Sequence, residues 1–378
     1  MRRKTLVFST LVVLAFALAI GIDAAFAGAL SAGTPATTVD LAAPEDVTFD
    51  AAGNVYISEF GTSKTAGHRV NKVDLAGNLS VVAGTGIEGY GGDGGPATLA
   101  QLDAPSGLLI DNTGALVVAD HHNGCMRRID ANGVINAIAG YCGRQGYNGD
   151  GKFPALKTKF DDPIGIVEDS TGTLFVADEQ NARVRRVTPD GVVSTILGGG
   201  KTPLPDAPNG TLGTDIEMSH PSYLALDASG NLYVSDFLWN QVVRIDPQGR
   251  ITHIAGTGEA GFGGDGGPAT SAVLDFPTGL ALDARGRLYI DDSFNNRIRM
   301  VDAQGRISTV VGSGPFGFGS GSYSGDGGKA TAATLNQPSG IALSADGRLF
   351  IADQGNNVVR VLQPGGTIDL FAGRPPIG

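Results

Sequence analysis

Basic charge is scarce in this sequence. Lys and Arg number 27 against 38 Asp and Glu, a formal net charge of -11. An acidic surface argues against nucleic acid and anionic lipid as partners. There are 2 cysteines, 5 histidines and 1 tryptophan in 378 residues. Long helical periodicity is missing throughout. No H-x-x-H or H-E-x-x-H spacing, P-loop, dinucleotide fingerprint or nucleophile elbow occurs, so none of the motif-defined chemistries is written locally. What abounds is glycine: 58 residues, about twice the usual share and without the three-residue period of collagen. Such a composition predicts many tight turns.

The first 27 residues read as a leader. A basic Met1-Arg-Arg-Lys4 precedes an apolar run from Leu6 to Ile22 and a small-residue site ending at Ala27. That is the pattern of a secretory signal peptide, predicting a secreted or periplasmic mature chain; the alternative is an uncleaved anchor. No later run is apolar enough to cross a membrane, so no membrane insertion of the mature chain is expected.

One unit then recurs six times, starting near Pro44, Pro105, Pro163, Pro221, Pro277 and Pro338. "PSGLLIDNTGALVVAD" at 105 becomes "PTGLALDARGRLYIDD" at 277 and "PSGIALSADGRLFIAD" at 338. Each unit reads as four strands. The first is short and apolar, and Asp-x-x-Gly turns it into a β-branched and aromatic second strand. A third strand such as "RVRRV" and a fourth such as "VVSTILG" follow a glycine turn. Six antiparallel four-stranded units predict an all-β fold, a six-bladed β-propeller, with a solenoid as the alternative. We divide the chain into the leader at 1–27, a lead-in at 28–40, the propeller at 41–373 and a tail at 374–378. The ring is expected to close without strand exchange, its ends meeting at one blade junction.

A glycine-rich sentence, "GYGGDGGPAT" at 89, returns as "GFGGDGGPAT" at 261, with weaker copies at 147 and 323. It reads as the connector from one blade's outer strand to the next blade's inner strand. Gly-Gly permits the reversal, Pro-Ala-Thr starts one helical turn, and an apolar residue three before each repeat proline (Leu102 and its equivalents) packs between blades. Asp93, Asp150, Asp265 and Asp326 in these loops leave a Ca²⁺-site reading open, although one carboxylate among glycines supplies few oxygens.

The unit "PTGLALDARGRLYIDDSFNNRIRMVDAQGRISTVVG" at 277–312 resembles an NHL repeat, and all six units are similar to it. The resemblance implies a six-bladed propeller. It also implies a range of uses: protein- and RNA-binding modules, extracellular sensors, and a metal-dependent lyase acting on peptidyl-α-hydroxyglycine. Acidic charge and a leader count against the RNA-binding members.

Positions where one unit departs from its siblings are candidate sites. Glu45-Asp46 follow Pro44 where the others carry Ser, Thr or Ile and then Gly or Tyr. Asp161-Asp162 precede Pro163, and His220 precedes Pro221. His121-His122 follow Asp120, and five extra residues in the first unit end near His68. Connectors and second-to-third-strand loops open on one face of a propeller, around the mouth of its central channel. His121, His122, His220 and these carboxylates are therefore candidate ligands for Zn²⁺ or a similar ion. Tyr223, Phe237 and Trp239 are candidates for a ligand-binding face. The acid ending each second strand (Glu59, Asp120, Asp178, Asp236, Asp292, Asp353) recurs too regularly for catalysis and is expected to tie loops together. Cys125 and Cys142 are expected to form a disulfide. Simple hairpin register would set Cys125 opposite Ile138, so the chain after Ala139 must curl back.

Two functions fit. The preferred one is a secreted or periplasmic scaffold binding a protein, peptide or glycan. The alternative is a metal-dependent lyase or hydrolase with its site at the channel mouth.

Overall fold

The structure is a computed structural model; residues 33–61, 63 and 66–376 are described. The expected leader at 1–27 lies outside the described residues, and among those no helix is long and apolar enough to cross a membrane.

Six antiparallel sheets, each built on four strands, form the blades of a propeller; in the first and last blades a two-residue connector strand, Thr34–Pro35 or Gly328–Lys329, adds to the outer edge. The inner strands are Pro44–Phe49, Pro105–Ile110, Pro163–Glu168, Pro221–Leu226, Pro277–Leu282 and Ile341–Leu343. In blade 2 the succession outward is Pro105–Ile110, Leu116–Asp120, Cys125–Ile129 and Ile135–Ala139, in chain order. The turns follow the side-chain chemistry. Asp111 accepts the amides of Thr113 and Ala115, which is how an Asx turn closes a hairpin.

Apolar packing lies between blades. Val70 and Ala83 of blade 1 form one cluster with Leu102, Leu108, Val118 and Ile135 of blade 2. Leu41, Leu102, Phe160, Met218, Leu274 and Leu335, the apolar residues before each repeat proline, are all buried. Each connector crosses to the next blade and runs over its outer edge. Gly94 donates to the carbonyl of Ile135, and Ala97 to that of Gly133. The exposed edge strand is thereby covered. Ala97–Leu99, Ala155–Lys157 and Ala269–Ser271 are the single 3₁₀ turns of these connectors.

Ring closure uses side chains and backbone without exchanging a strand. Gly373 donates to the Ala36 carbonyl, and the Ala43 amide donates to Asn357 Oδ1. Blade 1 residues Val47, Ile57 and Leu79 share one core with Phe350, Val359 and Val361 of blade 6.

The Cys125–Cys142 disulfide is present, with Cα atoms 5.1 Å apart. The register around it differs from the simple hairpin. Arg127 pairs with Ala137 and Met126 with Ala139, so Ile138 is bulged out and Cys125 falls beside Gly140. The same bulge occurs in all six blades. Gly140 has φ 95°, and a Cβ there would lie 2.5 Å from the Cys125 Cα. Only glycine fits, and the turn it permits carries Cys142 back to Cys125.

Candidate functional site

The loop face is tied together by the recurring second-strand acids. Asp120 accepts the Asp103 amide, Asp178 that of Asp161, Asp292 that of Asp275 and Asp353 that of Asn336. Asp236 accepts the amides of Ser219, His220 and Trp239. Glu59 accepts the Ala42 amide in blade 1. Backbone bonds between the same loops, such as His122 N–H to the Asp103 carbonyl, complete the seam.

The connector carboxylates have a related task. Asp93 binds the guanidinium of Arg127 at 2.7 Å, and Arg127 reaches Asp120 with its other amino group. Asp150–Arg185–Asp178, Asp265–Arg299–Asp292 and Asp326–Arg360–Asp353 repeat this clamp. All four arginines are fully buried. Asp93 also accepts the Ala137 amide and Asp265 that of Thr309, so connector carboxylates are engaged by protein donors. Blade 4 has Val243 in the arginine position, and its connector carries Asn209, which accepts the His253 amide.

The channel is crossed from side to side. Tyr223 of blade 4, a candidate for the ligand-binding face, is only 5 % exposed. Its hydroxyl donates to the Glu45 carbonyl at 3.0 Å and to Glu45 Oε1 on the opposite blade. The reason is positional: four sibling blades have glycine there because the next inner strand approaches closely. A Cβ on Gly107 would meet the Ile164 carbonyl at 2.2 Å. A tyrosine in that place has only the axis to point into.

Glu45 also accepts from Ser339 Oγ and Gln354 Nε2. Burial pushes its carboxyl up to about 7, against the pull of those three donors. Asp46 accepts the Leu108 amide across the blade junction and is pushed up to about 8, by burial and, after its amide bonds oppose this, by the Glu45 charge. Two channel acids went unnoticed in the sequence. Asp291 is fully buried with neither oxygen hydrogen-bonded among the described residues, and burial drives it well above the carboxylate range. Glu179 is raised likewise, by burial and then by the charge of Asp162. Asp291 was findable as a departure: "LYIDD" has Asp where siblings have Ala or Ser.

The histidines divide. His121, His122 and Asp162 each place a ligand atom within 4.8 Å of the others, and His68, Glu88 and Asp103 form a second such group. Asp103, unremarked in the sequence, links the two: it accepts from His122 Nδ1 at 3.1 Å and lies 3.7 Å from His68 Nδ1. Burial holds His121 down to about 4, so it stays neutral. Burial opposes charge on His122 also, yet its bond to Asp103 and the nearby carboxylates raise it overall. Asp161 is half-buried and raised by burial, then by Asp162. His220 joins neither group. It packs 5.1 Å from Phe237, and burial lowers it to about 4.

From His220 an aromatic run crosses the loop face. Phe237 stacks on Phe276 and Phe276 on Phe294, both at 4.2 Å, and Phe294 meets Phe318 edge-on at 5.1 Å. Phe237 and Phe276 are buried, whereas Phe318 is 43 % exposed and its neighbour Phe316 57 %. Trp239 turns away from this run and packs on the blade 4 core.

Comparison with known proteins agrees with the repeat reading. The model of the teneurin NHL domain matches residues 47–147 and 212–321, and the NHL repeat model matches 335–362. Teneurin-4 of Mus musculus is 28% identical over 338 residues, 82% of this chain and 10% of that protein. NHL repeat-containing protein 2 of Homo sapiens is 27% identical over 278 residues, 65% of this chain and 38% of its own length. The chain thus spans a minor part of both relatives. Among solved structures, virginiamycin B lyase from Staphylococcus aureus superposes with TM-score 0.51 at 18% identity, covering 90% of this chain and 88% of that one. A gluconolactonase from Xanthomonas campestris reaches 0.54 at 17%, covering 88% of each chain. An auxiliary nutrient binding protein from Bacteroides thetaiotaomicron reaches 0.60 at 16%, covering 88% of this chain and 70% of that one. At these identities the structural likenesses speak for the fold alone. With six blades, matching repeat models over more than half its length and NHL-bearing relatives, the chain belongs to the NHL-repeat family of β-propellers.

Proposed function

We propose that this propeller is a binding module whose loop face receives a protein or peptide partner. The observation that carries the reading is the aromatic run, anchored by buried Phe237 and Phe276 and surfacing at Phe318, beside the exposed Phe316, which packs on Phe262. Aromatic rings on a rigid base give large contact area at small entropic cost, which is why they dominate protein interfaces. The surface is held by the Gly317 amide, which donates to the Phe294 carbonyl. The Tyr223 hydroxyl bonds to Glu45 of the opposite blade, which favours the face, rather than the axis, as the working surface. Protein binding is also a common use of NHL propellers. The disulfide supports an extracytoplasmic setting, which is also what the expected leader at 1–27 would give.

An immobilised full chain screened against peptide and glycan arrays tests the proposal. Specific peptide capture that drops at least tenfold in Phe316→Ala and Phe318→Ala, and is unchanged in Leu75→Ala on the far face, is the expected result. Capture indifferent to both phenylalanines removes the aromatic face from the reading, and glycan-only capture changes the class of partner.

The second reading, a metal-dependent lyase or hydrolase, is favoured by one observation: His121, His122 and Asp162 converge on the same face. Fold neighbours that are a lyase and a gluconolactonase support the plausibility of turnover on this architecture.

A further inference from the structure

We infer that His121, His122 and Asp162 form a binding site for a divalent transition-metal ion of the Zn²⁺ class at the junction of blades 2 and 3. The inference stands apart from the partner reading, because it concerns ion uptake alone.

The argument rests on which ring nitrogens are committed. His121 Nδ1 lies 3.2 Å from the Pro163 carbonyl, an acceptor that requires the hydrogen on Nδ1. His122 Nδ1 lies 3.1 Å from Asp103 Oδ1, which imposes the same tautomer. In their neutral forms both rings therefore carry the lone pair on Nε2. Histidines that bind metal usually have their other nitrogen donating to a carbonyl or carboxylate in this way, which fixes ring orientation and raises basicity. His121 is buried, and its Nε2 faces Asp162 Oδ1 at 3.8 Å.

The second histidine group shows the contrast. His68 Nδ1 accepts the Ala104 amide, and His68 Nε2 donates to the Ser63 carbonyl. Neither nitrogen is left for an ion. His68 instead does what Asn240, Asn296 and Asn357 do in blades 4, 5 and 6, where the side-chain oxygen accepts the corresponding amide.

Two imidazoles and one carboxylate suit Zn²⁺ with a position left for water. A tetrahedral set with bonds of about 2.1 Å needs donors about 3.4 Å apart. One ligand atom of each residue lies within 4.8 Å of the others, and His121 Nε2 is 3.8 Å from Asp162 Oδ1, so the set must contract on an ion. His122 has room to move, its side chain being 39% exposed. Asp103, whose carboxyl is lowered by its bond to His122 and the nearby histidines despite burial, adds negative potential beside the site, which favours a cation. Gln145 donates to Asp162 and holds that carboxylate toward the histidines.

The test is titration of chelator-treated full chain with Zn²⁺ by calorimetry, and with Co²⁺ by visible absorption. The expected result is one ion per chain, with affinity at least tenfold weaker in His122→Ala and in Asp162→Asn. Asp103→Ala is expected to weaken binding about 10–100-fold through lost orientation of His122. His220→Ala should bind as the parent does. Circular dichroism confirms that each variant is folded, and the two ligand variants act on separate blades. No stoichiometric uptake by the parent, or equal uptake by parent, His122→Ala and Asp162→Asn, overturns the site.

Discussion

At the scale of single residues, the channel acids set the response to pH. Glu45, Asp46, Asp291 and Glu179 are all raised above their ordinary values, chiefly by burial. The folded chain therefore holds protons that the unfolded chain releases. Where the native state binds more protons, stability falls as pH rises. For Glu45 the window runs from 4.5 to about 7, and for Asp46 from 3.8 to about 8. Turn acids such as Asp111 and Asp227 have the opposite sign, being lowered by their hydrogen bonds despite some burial, and act below the ordinary carboxylate value. Thermal unfolding should thus show a midpoint that decreases from pH 5 to pH 8. Glu45→Gln should flatten that slope, relieving on the order of 3 kcal/mol near pH 8. A slope unchanged in Glu45→Gln would mean that Glu45 is ionised in the folded channel. Glu45 and Asp46 stood out in the sequence as departures from their siblings. That Tyr223 would bridge to Glu45 was not legible, because opposite blades meet only once the ring is closed.

At the scale of elements, the repeated glycine sentence is explained by the clamp it carries. Each connector Asp grips an arginine two residues into the third strand of the following blade, and that arginine reaches the acid ending the second strand. Arg299→Met leaves Asp292 buried without its cation and should cost about 3–5 kcal/mol in chemical denaturation. Asp265→Asn removes the more exposed end and should cost less, about 1–2 kcal/mol. Equal losses from both would mean that the clamp acts mainly through the connector. The connector role was readable from the glycines and the recurring Pro-Ala-Thr. The clamp itself was latent in the sequence: Asp93, Asp150, Asp265 and Asp326 precede the blades with Arg127, Arg185, Arg299 and Arg360. Blade 4 lacks both members. The outer-strand bulge was not legible, since a bulge changes pairing without changing the polar and apolar pattern.

At the scale of the whole molecule, the ring is held at its closing junction by noncovalent contacts. Phe350 is fully buried there, 5.0 Å from Phe49 and 4.8 Å from Phe371. Phe350→Ala should cost about 3–5 kcal/mol, and the ring should still unfold in a single transition because blade 6 packs on both neighbours. A separate early transition would show the last blade to be an independent unit. The six proline-led repeats made blade number and sheet order predictable. The candidate site was only half legible. The adjacent His121 and His122 meet Asp162 of the next repeat across one junction, whereas His220, equally prominent in the sequence, sits against Phe237.

The sequence by itself determined the repeat, its four strands, the connectors and the disulfide partners. Those follow from local rules: alternation, turn chemistry and spacing. Tertiary structure alone decided which departures face one another. It put Tyr223 across the channel, separated His220 from the other histidines, and turned both His121 and His122 so that the neutral rings carry the lone pair on Nε2. The reason is geometric. A side chain's neighbours around a ring depend on blade angle and on backbone carbonyls supplied by the adjacent blade, and neither is written in the residues next to it.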